Sequence, residues 1–248
     1  MPFFASRILL LLLAPSILNA SAVPSLIADE AVAAVMKLRS RPQYTWDIST
    51  IKPGDPSLPP QPLTMRGAMT SSGEMWIEQI WPDGLLLETV SRRDGTSVVR
   101  TPEGWFSKTE LDQLSREPRR GQFKWLWLAT EAFEPMTPEE QLTRMLNEST
   151  SWVRRSDIID VTLSERGASY WLGSGRMVPN ATGKVELRLS NGLIRECRLI
   201  VDGETLPSSA GAKSSSISFE RVLTFDYSAS APVIAEEAKR KLDEAVRR

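Results

Sequence analysis

Glu74-Met75-Trp76-Ile77-Glu78-Gln79-Ile80-Trp81, Pro82-Asp83-Gly84 and Leu85-Leu86-Leu87-Glu88-Thr89-Val90 read as a strand, a turn and a returning strand. Side chains alternate across a strand, so Met75, Ile77 and Trp81 share one face while Trp76 and Ile80 take the other. In the returning strand Leu85 and Leu87 oppose Leu86 and Val90. Both faces are apolar, and that leaves two accounts of the sheet. In one, helices cover one side and the sheet covers itself on the other. In the other, the sheet is curved, with one face packed on a helix and the opposite face lining a cavity for an apolar ligand.

Around this hairpin the chain from Leu63 to Arg100 reads as an antiparallel meander. Leu63, Met65 and Met69 share a face, Ser71-Ser72-Gly73 turns, and Arg92-Arg93-Asp94-Gly95 and Thr101-Pro102-Glu103-Gly104 turn again before Trp105-Phe106. Upstream, Ile27, Ala31, Ala34, Val35 and Leu38 recur at helical spacing, with Pro24-Ser25 as the start and Arg41-Pro42 as the stop. Tyr44, Trp46 and Ile48 then alternate with Thr45, Asp47 and Ser49, the pattern of a half-buried strand. The prolines of 52–62 cannot sustain a hydrogen-bonded ladder, so that segment is expected to cross or flap over an edge.

Downstream, Phe123, Trp125, Leu126, Trp127, Leu128, Ala132 and Phe133 are apolar nearly all round a helix, which suits a buried helix or one inserted in a cavity mouth. Thr137-Pro138-Glu139-Glu140 spells a capping box with proline at the first helical position, opening a helix to about Asn147. Asn191-Gly192 marks a hairpin between Lys184–Ser190 and Leu193–Val201. A two-residue loop opposes Arg188 to Arg195; a shift by one pairs Arg188 with Glu196, Glu186 with Arg198 and Leu187 with Cys197. Turn chemistry favours the first register and side-chain pairing the second. After a Ser-, Gly- and Ala-rich loop at 204–216, Ile217, Phe219, Leu223, Phe225 and Tyr227 alternate with polar residues in a long strand, and 236–248 reads as a C-terminal helix.

Near its start the chain has Arg7, an apolar run Ile8–Leu13 and the small residues Ala20-Ser21-Ala22, the layout of a cleaved secretory leader. The expected product begins at Val23, with no stretch near the roughly 20 apolar residues that span a bilayer. The expected location is periplasmic or secreted, in solution and without a transmembrane anchor. Residues 23–248 are read as a single domain with a helical insertion around 108–148.

Composition removes much chemistry. No histidine occurs, which excludes the Ser-His-Asp and Cys-His arrangements and the commonest metal ligand. Cys197 is the only cysteine, its strand face is shared with Leu199 and Val201, and it reads as a buried structural thiol. With Lys+Arg 30 against Asp+Glu 31, there is no basic excess to hold nucleic acid. Ser49-Thr50-Ile51-Lys52 has the spacing of penicillin-recognising enzymes but falls on a strand rather than a helix. Asp157 with Asp160 is the sort of carboxylate pair that glycoside hydrolysis uses, and such pairs arise by chance among 31 acids. The reading is of a protein that is not an enzyme and needs neither cofactor nor metal.

Gly73-Glu74-Met75-Trp76-Ile77, Val98-Val99-Arg100-Thr101-Pro102-Glu103-Gly104-Trp105-Phe106 and the ending Thr224-Phe225-Asp226-Tyr227 followed by Pro232-Val233 resemble the periplasmic lipoprotein carrier LolA and the LppX-like lipid-binding proteins. The resemblance covers most of 26–110 and 184–238. It implies an α+β fold, a strongly curved antiparallel half-barrel with helices on its concave side and at both ends, and an acyl chain of a lipid or lipoprotein as ligand. Alternation supplies the candidate lining: Tyr44, Trp76, Trp81, Leu85, Leu87, Phe219 and Phe225. Trp76 and Trp81 face opposite ways, so at most one of them lines the cavity. The alternative is an envelope interaction or sensor module with a protein partner and no lipid.

Overall fold

The computed structural model describes residues 22–53, 61–117, 124–133, 136–173, 178–204 and 214–246. The expected leader, most of the proline-rich and serine-rich segments, Phe123 and the last two residues lie outside the described residues. Helix α1 (Ala22–Arg39) leads into strands β1 (Tyr44–Pro53), β2 (Thr64–Met69), β3 (Met75–Ile80), β4 (Leu86–Ser91), β5 (Ser97–Thr101) and β6 (Gly104–Ser107). Three helices follow, α2 (Lys108–Ser115), α3 (Lys124–Glu131) and α4 (Pro138–Asn147). Then come β7 (Ser149–Arg155), β8 (Ile158–Leu163), α5 (Glu165–Gly173), β9 (Thr182–Ser190), β10 (Leu193–Glu204), β11 (Ser216–Asp226) and α6 (Glu236–Val246). Among the described residues eleven strands form one antiparallel sheet in the order β6-β5-β4-β3-β2-β1-β11-β10-β9-β8-β7, with β6 and β7 as its edges.

The sheet is a curved half-barrel, and register irregularities help to bend it. They fall between Thr50 and Lys52, between Ser149 and Ser151, and between Ile194 and Glu196. The last resolves the two registers that the sequence allowed. At the turn Leu193 pairs with Ser190 and Ile194 with Leu189, as a two-residue loop requires, and Asn191 and Gly192 both take positive φ, 54° and 69°. Arg195 is then left over as a bulge, and beyond it Glu196 pairs with Arg188, Cys197 with Leu187 and Arg198 with Glu186.

One face of the sheet carries the main core. Tyr44, Trp46 and Ile48 of β1, Leu223 and Phe225 of β11, Cys197, Leu199 and Val201 of β10, and Val185 and Leu187 of β9 lie on it, all 5% exposed or less. Helices α1, α4 and α5 cover this concave face. Ala31, Ala34 and Leu38 of α1 and Leu142 and Met145 of α4 are essentially inaccessible, and each large side chain of this kind contributes about 2 kcal/mol by leaving water. A second cluster lies on the same face farther along the sheet, where α2 and α3 pack on β3, β4 and β5. At that end the opposite face is apolar too: α6 lays Ala238 and Leu242 over Val90, Val98 and Trp105.

The structure differs from the sequence reading in several places. β1 continues to Pro53 by means of its bulge, so the crossing expected from residue 52 starts later. α1 already runs at Ala22, ahead of the expected start at Pro24-Ser25, and it ends at Arg39. The sequence reading placed no strand between 148 and 184, yet β7, β8 and α5 lie there. β7 is an edge strand with mostly exposed residues, so hydrophobic alternation has nothing to register.

Candidate binding face

At the middle of the concave face β1 and β11 place four aromatic rings together. Tyr44 stands 5.4 Å from Trp46, 6.4 Å from Phe225 and 6.4 Å from Tyr227 between centroids, and Phe225 and Tyr227 are stacked. Tyr227 donates its hydroxyl to the Ile194 carbonyl at 2.6 Å, and its ring is approached by the guanidinium groups of Arg41 and Arg195 at 5.4 and 5.2 Å. The bulge at 195 therefore turns an arginine out of the ladder and onto an aromatic ring. The Tyr44 hydroxyl is buried without a hydrogen-bond partner among the described residues. Burial first, and the nearby Glu139 carboxylate second, push its pKa well above the ordinary phenol value.

Trp81, Leu85 and Leu87 belong to the second cluster. They pack with Leu111 of α2 and with Leu126, Leu128 and Ala129 of α3. Thr89 donates its hydroxyl to the Ala132 carbonyl at 3.1 Å and pins the end of α3 to β4. Two polar atoms in this region have no partner among the described residues: the Trp81 indole N–H and the Gln79 side-chain oxygen are both buried. Buried polar groups ordinarily find a partner, so each of these two atoms costs the fold stability as it stands. Trp127, on the far side of α3, is 44% exposed.

The seven lining candidates thus fall into three groups. Tyr44, Phe219 and Phe225 lie in the main core, Trp81, Leu85 and Leu87 lie under α2 and α3, and Trp76 stands on the opposite face against the α6 cluster. Trp76 there donates its indole N–H to Glu88 at 2.6 Å. Alternation correctly separated Trp76 from Trp81; it did not separate Trp81 from Tyr44, because it reports a face and not the helix that covers it.

Two polar features border the same face. A cleft of about 650 Å³ opens between α1, α4 and α5, lined by Arg39, Glu139, Arg144, Glu148 and Tyr170 among others, with the Arg144 guanidinium 4.1 Å from the Tyr170 ring. Arg221, on β11, is 6% exposed, and burial pulls its guanidinium down to about 10, so it remains a cation at neutral pH. The sequence reading passed over Arg221, although the signal was present: the inward series Ile217, Phe219, Leu223, Phe225 runs through position 221.

The motifs weighed for chemistry have other occupations. Asp157 pairs with Arg188 at 3.7 Å, and Asp160 pairs with Arg155 and with Lys184 at 3.2 Å. Lys52 pairs with Glu220 at 3.8 Å from within β1. Cys197 is fully buried, its Sγ 3.9 Å from Met145 Sδ, and burial raises its pKa to about 12. Among the described residues no group of three or more His, Cys, Asp or Glu is placed to hold a metal, and no helix is long and apolar enough to cross a membrane.

No family model and no curated protein matches the sequence. Among solved structures, the chain is similar to the Mycobacterium tuberculosis lipoprotein LppX, at 10% identity and a TM-score of 0.44 over 84% of this chain and 99% of that one. It is similar to LprF from Mycobacterium bovis at 6% identity and a TM-score of 0.42, covering 87% and 99% of the two chains. A DUF1329 family protein from Desulfovibrio piger follows at 10% identity and a TM-score of 0.28, covering 83% and 94%.

Proposed function

We propose that the protein is an exported binding or carrier protein of the cell envelope that holds the acyl chain of a lipid or lipoprotein against the concave face of its sheet. The chain lies between β3–β5 and the α2–α3 pair, with Trp81, Leu85 and Leu87 as lining and Tyr44, Phe219 and Phe225 continuing the apolar surface along the sheet. The observation that carries this reading is the second cluster. It is separate from the main core, is roofed by a helix with apolar residues on several sides, and contains the unpartnered Trp81 and Gln79 atoms. Lifting α2 and α3 exposes apolar surface without breaching the main core. Each methylene of a ligand that takes their place contributes about 0.8 kcal/mol, so an acyl chain needs no chemistry to be held.

One observation favours a second reading. Tyr44, Trp81, Leu87, Phe219 and Phe225 are each 5% exposed or less, so the protein's own helices fill the concave face. An envelope interaction module would look the same and would use its outer surface for a protein partner. Native mass spectrometry of the protein purified from its own envelope without detergent separates the two. Carriage gives a stoichiometric lipid adduct. A clean ligand-free mass with no uptake of added lipid overturns carriage in favour of the interaction module.

A further inference from the structure

Arg221 stands on the concave face between Phe219 and Leu223, with Thr50 and Leu199 as its cross-strand neighbours. Its guanidinium lies 5.0 Å from the Phe219 ring centroid. Among the described residues its one hydrogen bond is from Nη2 to the neutral side-chain oxygen of Gln61, at 3.3 Å, and Nε has no acceptor. The adjacent carboxylate, Glu220, does not help, because alternation sends it to the opposite face. There Arg198 holds it at 2.6 Å and Lys52 at 3.8 Å. A buried cation with only a neutral amide for company is a costly arrangement, kept where something else repays it.

We propose that Arg221 anchors the anionic headgroup of the amphiphile that the concave face carries, an anionic oxygen taking the place now held by the Gln61 amide. The inference rests on the carrier reading and adds the class of ligand. Gln61 is exposed while Arg221 is buried beneath it, so the site lies where the concave face meets solvent. A headgroup bound there stays near water while its tail runs across the neighbouring strands to the second cluster: the amide of Thr50, opposite Arg221, donates to the Leu63 carbonyl, and the Leu63 amide to the carbonyl of Ile80, next to Trp81. The planar guanidinium fork suits a carboxylate or phosphate, and the free Nε–H completes a two-point contact that the amide cannot make.

The test compares laurate, dodecanol and acetate by titration calorimetry on the purified chain and on its R221M and R221K variants. Laurate is expected to bind the unaltered chain at least about tenfold more tightly than dodecanol, with acetate inert at the same concentrations. R221K keeps the preference for laurate. R221M binds laurate and dodecanol equally and unfolds at the same or a higher urea concentration, which a purely structural arginine would not do. Equal binding of laurate and dodecanol by the unaltered chain, or a preference that survives in R221M, overturns the headgroup site and leaves the carrier reading standing. Acetate matching laurate overturns the amphiphile in favour of a free anion. Binding of neither twelve-carbon probe overturns the carrier reading, and the headgroup site falls with it.

Discussion

The indole of Trp46 lies over Gly67, its cross-strand partner on β2, and occupies the space in which any Cβ at position 67 would sit. The backbone there is not in the left-handed region, so glycine supplies room rather than conformational freedom. A large ring on one strand and no side chain on the next is how the centre of the concave face is kept level. Gly67→Ala should therefore lower stability by about 1–3 kcal/mol through overpacking, and Gly67→Val by more. Urea unfolding measures the loss as a shift of midpoint at constant slope. Trp46→Leu combined with Gly67→Ala should lose less than the two single changes together, because the clash needs both groups.

Asp160, on β8, sits between two cations, with Lys184 Nζ at 3.2 Å and the Arg155 guanidinium in direct contact. Burial acts to raise its pKa, but the hydrogen bonds and charges of Arg155 and Lys184 outweigh burial and hold the carboxyl below its ordinary 3.8. A folded pKa below the unfolded one gives stability that is present above the unfolded carboxylate range and is lost as pH falls through the folded value. Both cations are largely solvated, so the contribution is about 1 kcal/mol or less. Asp160→Asn should be less stable than the unaltered chain at neutral pH, and the two unfolding curves should converge in acid. A gap of constant size across that range would show that the carboxylate's charge is irrelevant.

Cys197 is inaccessible, and burial, with Glu196 adding to it, lifts its thiol to about 12. Only the thiolate reacts, so a maleimide should leave the folded protein unlabelled and modify it fully once urea has unfolded it. Cys197→Ser should cost about 1–3 kcal/mol, more than Cys197→Ala, because the thioether sulfur of Met145 that faces it is only a weak acceptor for a buried hydroxyl.

What could be read without coordinates follows from which rules act locally. Thr137-Pro138-Glu139-Glu140 spelled its cap, and the structure has it: Thr137 accepts from the Glu140 amide at 3.2 Å while the Glu140 carboxylate accepts from the Thr137 amide at 2.8 Å. The hairpin at 191–192 was legible too, but two local rules disagreed about register, and each holds on its own side of Arg195. β8 carried a readable signal in Ile159, Val161 and Leu163, which are buried in alternation. It was missed because its partner β7 is polar and lies at the edge. The candidate site was legible only as a face. That Leu87 goes under α3 while Tyr44 goes under α4 depends on contacts between residues far apart in sequence, and no periodicity records those.

The second cluster separates two kinds of buried residue. Leu87 is fully buried among α2 and α3 side chains, so Leu87→Ala leaves a cavity and should cost about 2–5 kcal/mol. Trp81 is also buried, but its indole N–H has no acceptor among the described residues, and removing an unsatisfied donor while keeping an aromatic ring offsets part of what the smaller ring loses. Trp81→Phe should therefore cost the ligand-free protein distinctly less than Leu87→Ala in urea unfolding. Because the carried acyl chain lies against Trp81, the same substitution should leave the ligand-free stability as stated and, by removing part of the lining, weaken lipid retention, measured as the fraction of lipid-bound mass in native spectra. A Trp81→Phe protein as unstable as Leu87→Ala, with unchanged retention, would make Trp81 ordinary packing and remove it from the lining.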